Sequence, residues 1–225
     1  MSARLSVAGL WSDLRGAENT LRLTSMRDDR PIELVSPAAS LEALSGTLAA
    51  AFQDDPALSW IVEDSGKRAK MLPGFFKVMA RQSRRHGEIL ASPDRGAVSL
   101  WFPPGEVSDG LLATAYDNLR MLLGFGLSLA RGLKVAEEMY KRHPRPQPYS
   151  YLRYVGVAPE AQGKGWGGAI VRAGVARAAE QGTGVLLETA TPDNVTIYTR
   201  LGFEIVEEWK VPGGPDFWTM VHPAP

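Results

Sequence analysis

The fold of this chain is decided by the stretch Val155-Gly156-Val157-Ala158-Pro159-Glu160-Ala161-Gln162-Gly163-Lys164-Gly165-Trp166-Gly167-Gly168. Tyr149 to Val157 has the tyrosine and valine content of a β-strand, which Pro159 ends because proline cannot donate a ladder hydrogen bond. After Gly168, apolar residues recur at helical spacing as far as Gly182, a typical residue just beyond a helix C-terminus. The stretch therefore predicts a strand, a glycine-rich loop and an amphipathic helix in direct succession.

The glycines of this loop indicate a binding site for an anion. Gly163, Gly165, Gly167 and Gly168 fall within six consecutive residues. Without side chains, a phosphate can approach the backbone closely, and the N–H groups of the first helical turn point at it. The sequence thus predicts a cofactor that carries a diphosphate.

Two common phosphate-binding motifs compete for the same residues. A Walker A loop is excluded because Ala158 stands where its first glycine is required, and because Gly165 follows Lys164. The dinucleotide fingerprint Gly163-x-Gly165-x-x-Gly168 matches literally, with Glu188 further along the chain. It begins so late in the chain that only about three strands can follow, fewer than a doubly wound fold needs. A reductase is kept as an outside alternative.

The same stretch resembles the acetyl-CoA motif of the GNAT superfamily of N-acetyltransferases. That motif is a Gln or Arg, two residues, Gly, any residue and Gly, and here these are Gln162, Gly165 and Gly167. The run from Asn194 to Phe203 resembles the second GNAT signature. The resemblance implies that backbone amides hold the pyrophosphate of acetyl-CoA, and that the strand pairs with the pantetheine arm. The predicted cofactor-binding residues are Val155, Gly156, Val157, Gln162, Gly163, Lys164, Gly165, Trp166, Gly167, Gly168, Asn194 and Tyr198.

Acyl transfer to an amine needs an acid for the departing thiolate and a base for the protonated amine. Asn194 and Tyr198 are four positions apart, so a helix presents both on one face. The resemblance implies that this tyrosine lies near the coenzyme sulfur, and Tyr198 is the predicted general acid. Glu188, at a strand end, is the first candidate for the base, and a purely structural role as an acceptor stays open. The three histidines show no ligand spacing, and we expect no metal.

The substrate pocket is predicted from weaker signals. Asp54 and Asp55 lie in the loop that borders the acceptor pocket in this superfamily, and a solvated turn is the alternative interpretation. A looser resemblance, to the branch containing puromycin N-acetyltransferase, rests on Ala97-Val98-Ser99-Leu100-Trp101, Leu187-Glu188-Thr189, Val211-Pro212-Gly213-Gly214-Pro215 and Trp218-Thr219-Met220. It implies a small, partly aromatic amine enclosed by helices over residues 109–143 and by Trp60 and Trp101.

Composition limits the classes of function. The 25 Lys and Arg residues balance the 25 Asp and Glu residues, so the chain has no overall basic field for nucleic acid or an anionic membrane. Cysteine is absent, which removes disulfides and thiolate nucleophiles. The apolar stretch 121–130 is much shorter than the roughly 20 residues that span a bilayer, and residues 1–29 lack a signal-peptide pattern. We expect a cytoplasmic protein.

The predicted organisation is an N-terminal extension over residues 1–29 and one acetyltransferase domain over residues 30–225. Its expected fold is α/β, a mixed, mostly antiparallel sheet of six or seven strands flanked by helices and splayed at the acetyl-CoA strand. A helical pair over residues 109–143 forms an inserted lid, and Ser36 with Pro37 is predicted to begin the first helix. Exposed aromatic residues leave a homodimer open.

The function predicted from all of these signals is direct acetyl transfer from acetyl-CoA to an amine of a small molecule. Acetylation of a protein or peptide is the first alternative, and it predicts an open groove in place of a lidded pocket. A non-catalytic module that binds acetyl-CoA is the second.

Overall fold

A mixed β-sheet forms the frame of the protein. The computed structural model describes residues 30–105, 124–144 and 148–225, so the predicted N-terminal extension and residues 109–123 of the predicted lid lie outside the described residues. The seven strands, numbered in chain order, are β1 Glu33–Leu34, β2 Glu88–Ala91, β3 Ala97–Phe102, β4 Ser150–Val157, β5 Val185–Thr189, β6 Glu204–Lys210 and β7 Asp216–His222.

The order of the strands is β1-β2-β3-β4-β5-β7-β6, and β4–β5 is the parallel pair among antiparallel neighbours. β4 and β5 are joined at two register positions, Ser150 with Val185 and Tyr151 with Leu186. Beyond Tyr151 the two strands separate, and β4 continues to Val157 paired with β3 alone. The predicted mostly antiparallel sheet and its splay at the acetyl-CoA strand are confirmed.

Helices cover both faces of this sheet. Their bounds in the described part of the chain are α1 Leu41–Ala51, α2 Pro56–Ile61, α3 Ser65–His86, α4 Leu129–Arg142, α5 Trp166–Glu180 and α6 Pro192–Arg200. One core packs residues of α1 to α4 against one face, and a second core packs α5 and α6 against the other. β3 is buried along its whole length because both of its faces are covered.

The start of the first helix differs from the prediction. This helix begins at Leu41 and not at Pro37, because the Ser40 side chain accepts the N–H of Glu42 as the N-cap, while the residues after Ser36 form a turn. α3 contains Pro73 and runs through it without interruption. Buried Phe75 and Phe76 follow directly, and their packing offsets the hydrogen bond that proline cannot donate.

None of the helices in the described ranges combines the length and the apolar character needed to cross a membrane.

Candidate active site

The glycine-rich loop has the backbone geometry of an anion cradle. Gly163 and Gly165 have φ angles of +71° and +83°, in the left-handed region that glycine enters without steric cost. Gly165 occupies the N-cap position of α5 and brings no side-chain capping bond. The N–H groups of the first turn of α5 therefore lack a capping side chain and are available to a phosphate.

Two side chains of the loop stabilise it from within. The Gln162 amide Nε2 donates to the carbonyl of Val157 at 3.1 Å, and Lys164 Nζ donates to the carbonyl of Glu160 at 2.7 Å. Both polar heads thus bind backbone carbonyl groups. The backbone N–H groups of this segment are therefore the groups that can make the predicted contact with phosphate.

Arg30 adds a positive charge that the sequence motif did not reveal. Its guanidinium lies 5.8 Å from the centre of the Trp166 ring. It also lies beside Gly165, where an added Cβ would stand 2.9 Å from Arg30 Nη1. Trp166 packs against the α5 core. The guanidinium therefore sits at the loop that the motif assigns to the pyrophosphate.

The strand leading into the loop has one edge open toward the gap between β4 and β5. Its other edge pairs with β3, where Val155 faces Ser99 and Val157 faces Ala97. Gly156 has a packing role as well, because an added Cβ would lie 2.8 Å from the Cβ of Ala51 in α1. The open edge can accept an extended arm as an additional strand would.

A cavity of about 390 Å³ lies beside this gap. Most of its walls are apolar side chains, many of them from α2, α3 and α4. The polar and titratable residues that line it are Asp55, Tyr140, His143, Tyr151, Arg153, Tyr154, Glu188, Thr189, Asn194 and Tyr198. The structure thus brings together Val155, Glu188, Asn194, Tyr198 and Asp55 from the sequence prediction.

Tyr198 and Asn194 both line the cavity from α6, on one face as their spacing predicts. Tyr198 is 7% exposed, and burial raises the pKa of its phenol well above the usual value. The phenol therefore stays protonated at neutral pH. The Asn194 side-chain amide is 3.4 Å from the hydroxyl oxygen of Thr189, which also accepts the N–H of Thr191 at the start of α6.

Glu188 forms a hydrogen-bonded pair with His143. Glu188 Oε1 contacts His143 Nε2, and the Glu188 side chain is 1% exposed against 22% for His143. The second carboxylate oxygen, Oε2, is buried without a hydrogen-bond partner in the described part of the protein. Burial, and next the charge of Glu188, raise the pKa of Tyr151, whose ring packs 4.9 Å from that of His143.

His143 is the residue that sequence reasoning missed. It caps the C-terminus of α4 and stands 45 positions before Glu188. A lone histidine before a proline gives no local signal of a distant partner. Its position at the end of the predicted lid gave a partial signal, because a lid over the substrate places some of its residues at the pocket.

The two acidic candidates for substrate binding have different environments. Asp55 lines the cavity and is the N-cap of α2, where its Oδ1 accepts the N–H of Leu58 at 2.9 Å. Burial raises the pKa of its carboxyl. The Asp54 side chain is 91% exposed and its carboxylate lies 3.6 Å from Arg68. Of the two, only Asp55 faces the cavity.

The two tryptophans predicted to enclose the substrate lie outside the cavity walls. Trp101 packs across the other face of the sheet, where a Cβ added to Gly174 of α5 would stand 1.9 Å from its ring. Trp60 donates its Nε1 hydrogen to the carbonyl of Gly213 at 2.9 Å and lies under Arg131 of α4. The structure corrects both assignments: these rings hold elements of the fold together.

No group of three or more His, Asp or Glu side chains within residues 30–105, 124–144 and 148–225 is arranged to hold a metal ion.

Comparison with known proteins shows a family match over part of the chain and a shared fold. Residues 122–205 match the family model described as the acetyltransferase (GNAT) domain. A Corynebacterium glutamicum protein, described as histone acetyltransferase HPA2 and related acetyltransferase, has a similar structure with a TM-score of 0.61 and 21% identity, over 86% of this chain and 96% of that one. Arylalkylamine N-acetyltransferase 2 from Aedes aegypti gives a TM-score of 0.58 at 13% identity, over 87% and 99%. Drosophila melanogaster polyamine N-acetyltransferase gives 0.50 at 14% identity, over 86% and 99%.

Proposed function

We propose that this chain is an acetyltransferase of the GNAT family, and that it transfers the acetyl group of acetyl-CoA directly to an amine of a small molecule. The proposal rests on the largely apolar cavity beside the gap between β4 and β5, whose lining includes Tyr198, Asp55 and the His143–Glu188 pair. A donor, two carboxylates and an imidazole next to the open edge of β4 supply the proton transfers that the reaction requires.

The residues of the loop fit the diphosphate of acetyl-CoA. Gly163 and Gly165 leave the backbone accessible, α5 begins without a capping side chain, and Arg30 brings a cation to the same point. The open edge of β4 from Val155 to Val157 fits the amide groups of the pantetheine arm. The bound coenzyme supplies an activated thioester carbonyl, and the chain supplies orientation and proton transfer.

Tyr198 is the proposed proton donor to the departing sulfur. Its phenol is buried, its raised pKa keeps it protonated, and it lines the same cavity as the proposed proton acceptors. A weakly acidic donor still favours departure of the thiolate, by about 10²-fold as general acids go. Asn194, one turn earlier on α6, is the proposed second contact with the coenzyme on this face.

The walls of the cavity favour an amine attached to an apolar group. Phe75 and Phe125 lie edge to face with ring centres 5.5 Å apart, and α4 adds Leu129, Leu133 and Met139. These surfaces gain free energy from burying hydrocarbon, whereas the Asp55 carboxyl complements an ammonium group. Two proteins that share the fold are named for acetylation of arylalkylamines and polyamines, and their names agree with this substrate class.

α4 also favours a small acceptor over a protein. It contributes Leu129, Val135 and Met139 to the cavity and contacts α2, so it covers a region that a peptide substrate would need open. Catalysis is favoured over binding alone, because the Tyr198 phenol lines the cavity beside the open edge of β4.

Two measurements test the proposal. Thermal unfolding is followed with acetyl-CoA, coenzyme A and NADH, and we expect stabilisation by the first two. Release of free thiol from acetyl-CoA is then measured with an arylalkylamine, a polyamine, puromycin and a short peptide with a free N-terminus. We expect thiol release with the arylalkylamine or puromycin. Turnover of the peptide alone would contradict the small-molecule proposal, and stabilisation without any thiol release would favour the non-catalytic module.

A further inference from the structure

The contact between His143 and Glu188 joins the end of the lid helix to the strand at the splay. Nε2 of the imidazole and Oε1 of the carboxylate are hydrogen-bonded, although 45 positions separate the residues. Both residues line the cavity. A buried carboxylate that accepts from one ring nitrogen fixes the orientation and the tautomer of the imidazole, and leaves the other nitrogen as the proton acceptor.

The side chains of Glu188 and His143 differ in how accessible they are to a substrate. The Glu188 side chain is 1% exposed, with one oxygen bound to His143 and the other buried. The His143 side chain is 22% exposed in the same cavity. An amine entering the cavity therefore meets the imidazole before the carboxylate.

Other charged and titratable groups surround this pair. Arg142, the neighbour of His143, binds Glu138 and Glu207, and Arg153 donates to Gln82 at 2.9 Å. Their guanidinium groups thus have other partners than Glu188. The remaining titratable groups that line the cavity are Asp55, Tyr140, Tyr151, Tyr154 and Tyr198.

We propose that His143 is the catalytic base that takes the proton from the substrate ammonium group, and that Glu188 is the positioning residue that holds the imidazole. This inference rests on the proposed function and corrects one part of it: Glu188, predicted as the base, acts through His143. A histidine changes its protonation state near neutral pH and is suited to this role.

The protons and bonds of the step balance. The imidazole takes one proton from the ammonium group, which frees the lone pair of the nitrogen. The nitrogen–carbon bond to the acetyl group forms as the carbon–sulfur bond breaks. Tyr198 donates one proton to the sulfur. The acylated nitrogen then loses its second proton, which passes through water and reprotonates the Tyr198 phenolate. The imidazolium then releases its proton to solvent, so an ammonium ion and a thioester yield an amide, a thiol and one proton.

The test is the pH dependence of kcat, measured with saturating acetyl-CoA and amine. His143→Gln keeps an amide that can donate to Glu188 but cannot take up a proton. We expect kcat to fall about 100-fold, which is the lower end of general-base contributions. We also expect the change of kcat with pH near neutrality to be lost. Glu188→Gln should lower kcat about tenfold, because the imidazole loses the carboxylate that orients it, and Glu188→Asp, which keeps a carboxylate, should recover part of this loss. A role in folding alone would lower the unfolding temperature of both variants without this difference in kcat.

Three controls make the outcomes distinct. His86→Gln, at the end of α3 and away from this cavity, should keep the wild-type profile. Stabilisation by acetyl-CoA should persist in every variant, which shows that each one folds. His143→Ala should recover activity when imidazole is added. A His143→Gln variant that keeps the pH dependence of kcat and has a kcat within threefold of the wild-type value would overturn the inference, while leaving the proposed function intact. A wild-type protein that releases no thiol would overturn both.

Discussion

The guanidinium of Arg142 lies 4.4 Å from the centre of the Trp209 ring, and its Nε donates to Glu207 at 3.2 Å. Trp209 is stacked on Phe217 with ring centres 4.5 Å apart, so the contact rests on a rigid surface. These interactions fix the last turn of α4 to β6, one residue before His143. The position of the histidine in the cavity thus depends on a contact outside the cavity.

Replacing Arg142 tests this dependence. Arg142→Met keeps an apolar side chain over Trp209 but loses the cation–π contact and the bond to Glu207. We expect the free energy of unfolding to fall by about 1 kcal/mol and kcat to fall severalfold. Lys141→Met is the matched control, because the Lys141 side chain is exposed and, among the ion pairs described, pairs only with Glu137 and Glu138 of its own helix. It should change stability by less than about 0.5 kcal/mol and leave kcat unchanged. Equal effects of the two substitutions would contradict the anchoring role.

Tyr198→Phe tests the proton donor. The substitution retains the ring that packs 5.6 Å from Phe203 and removes only the hydroxyl. We expect kcat to fall about 100-fold, with unchanged stabilisation by acetyl-CoA in thermal unfolding. Since the pKa of the phenol lies well above its usual value, wild-type kcat should show no tyrosine ionisation between pH 6 and about pH 10. Tyr140→Phe, on an exposed side chain at the cavity, should retain wild-type kcat. Full activity of Tyr198→Phe would remove the phenol from the mechanism.

Gly165→Ala tests the phosphate loop. The φ angle of +83° disfavours alanine by about 1–2 kcal/mol, and the new Cβ would stand 2.9 Å from Arg30. We expect a loss of stability of that order and about a tenfold higher Kd for acetyl-CoA. Gly182→Ala carries the same backbone strain at a φ of +70°, with no atom within 4 Å of the new Cβ, at the far end of α5. It should lose similar stability and bind acetyl-CoA normally. An unchanged Kd in both variants would argue against the loop as the diphosphate site.

Asp55→Asn tests the buried carboxyl at the cavity. Burial raises the pKa of Asp55 from its ordinary value of 3.8, so the folded state holds the proton more tightly than the unfolded state does. The stability gained from this proton is present at low pH and is lost as pH rises through the folded-state pKa. Asparagine is an equally good N-cap and carries no charge, so the variant should be more stable than the wild type at pH 7. This advantage should shrink as the pH falls through the raised folded-state pKa, and it should be lost by about pH 4, near the pKa of the unfolded state.

The same substitution should impair substrate binding, because the ammonium loses one charged partner. We expect the amine KM to rise about tenfold, the effect of one hydrogen bond to a charged group. Asp54→Asn is the matched control in the neighbouring position, since its side chain is 91% exposed. Urea unfolding between pH 3 and pH 8 and steady-state kinetics measure both effects. A variant that is less stable at neutral pH with an unchanged KM would contradict this assignment.

The loop from Gln162 to Gly168 shows what could be predicted from sequence. Its strand, its glycines and its helix are contiguous, so local backbone preferences decide their geometry before any tertiary contact forms. The structure has the predicted strand, loop and helix in succession, with positive φ angles at Gly163 and Gly165, but α5 begins at Trp166, so Gly167 and Gly168 belong to its first turn. The pairing of Asn194 with Tyr198 on one face of α6 likewise follows from helical periodicity alone.

Trp101 shows where such reasoning fails. Leu100 packs into the core beneath α1 to α4, whereas Trp101 packs into the core beneath α5. Since β3 is buried on both faces, the sequence shows no alternation of polar and apolar residues from which the face of each side chain could be predicted. The assignment of Trp101 to the substrate cavity was wrong for that reason.

The sequence by itself therefore determined the strand that ends at Val157, the glycine-rich loop with α5 after it, and the shared face of Asn194 and Tyr198, because each of these depends on residues within one turn, one strand or one helix. The tertiary structure decided which acidic residue of Asp54 and Asp55 faces the cavity, and that Glu188 lies behind His143. Those relationships join elements far apart in the chain, and no local preference encodes them. They form only when α4 packs over the gap between β4 and β5.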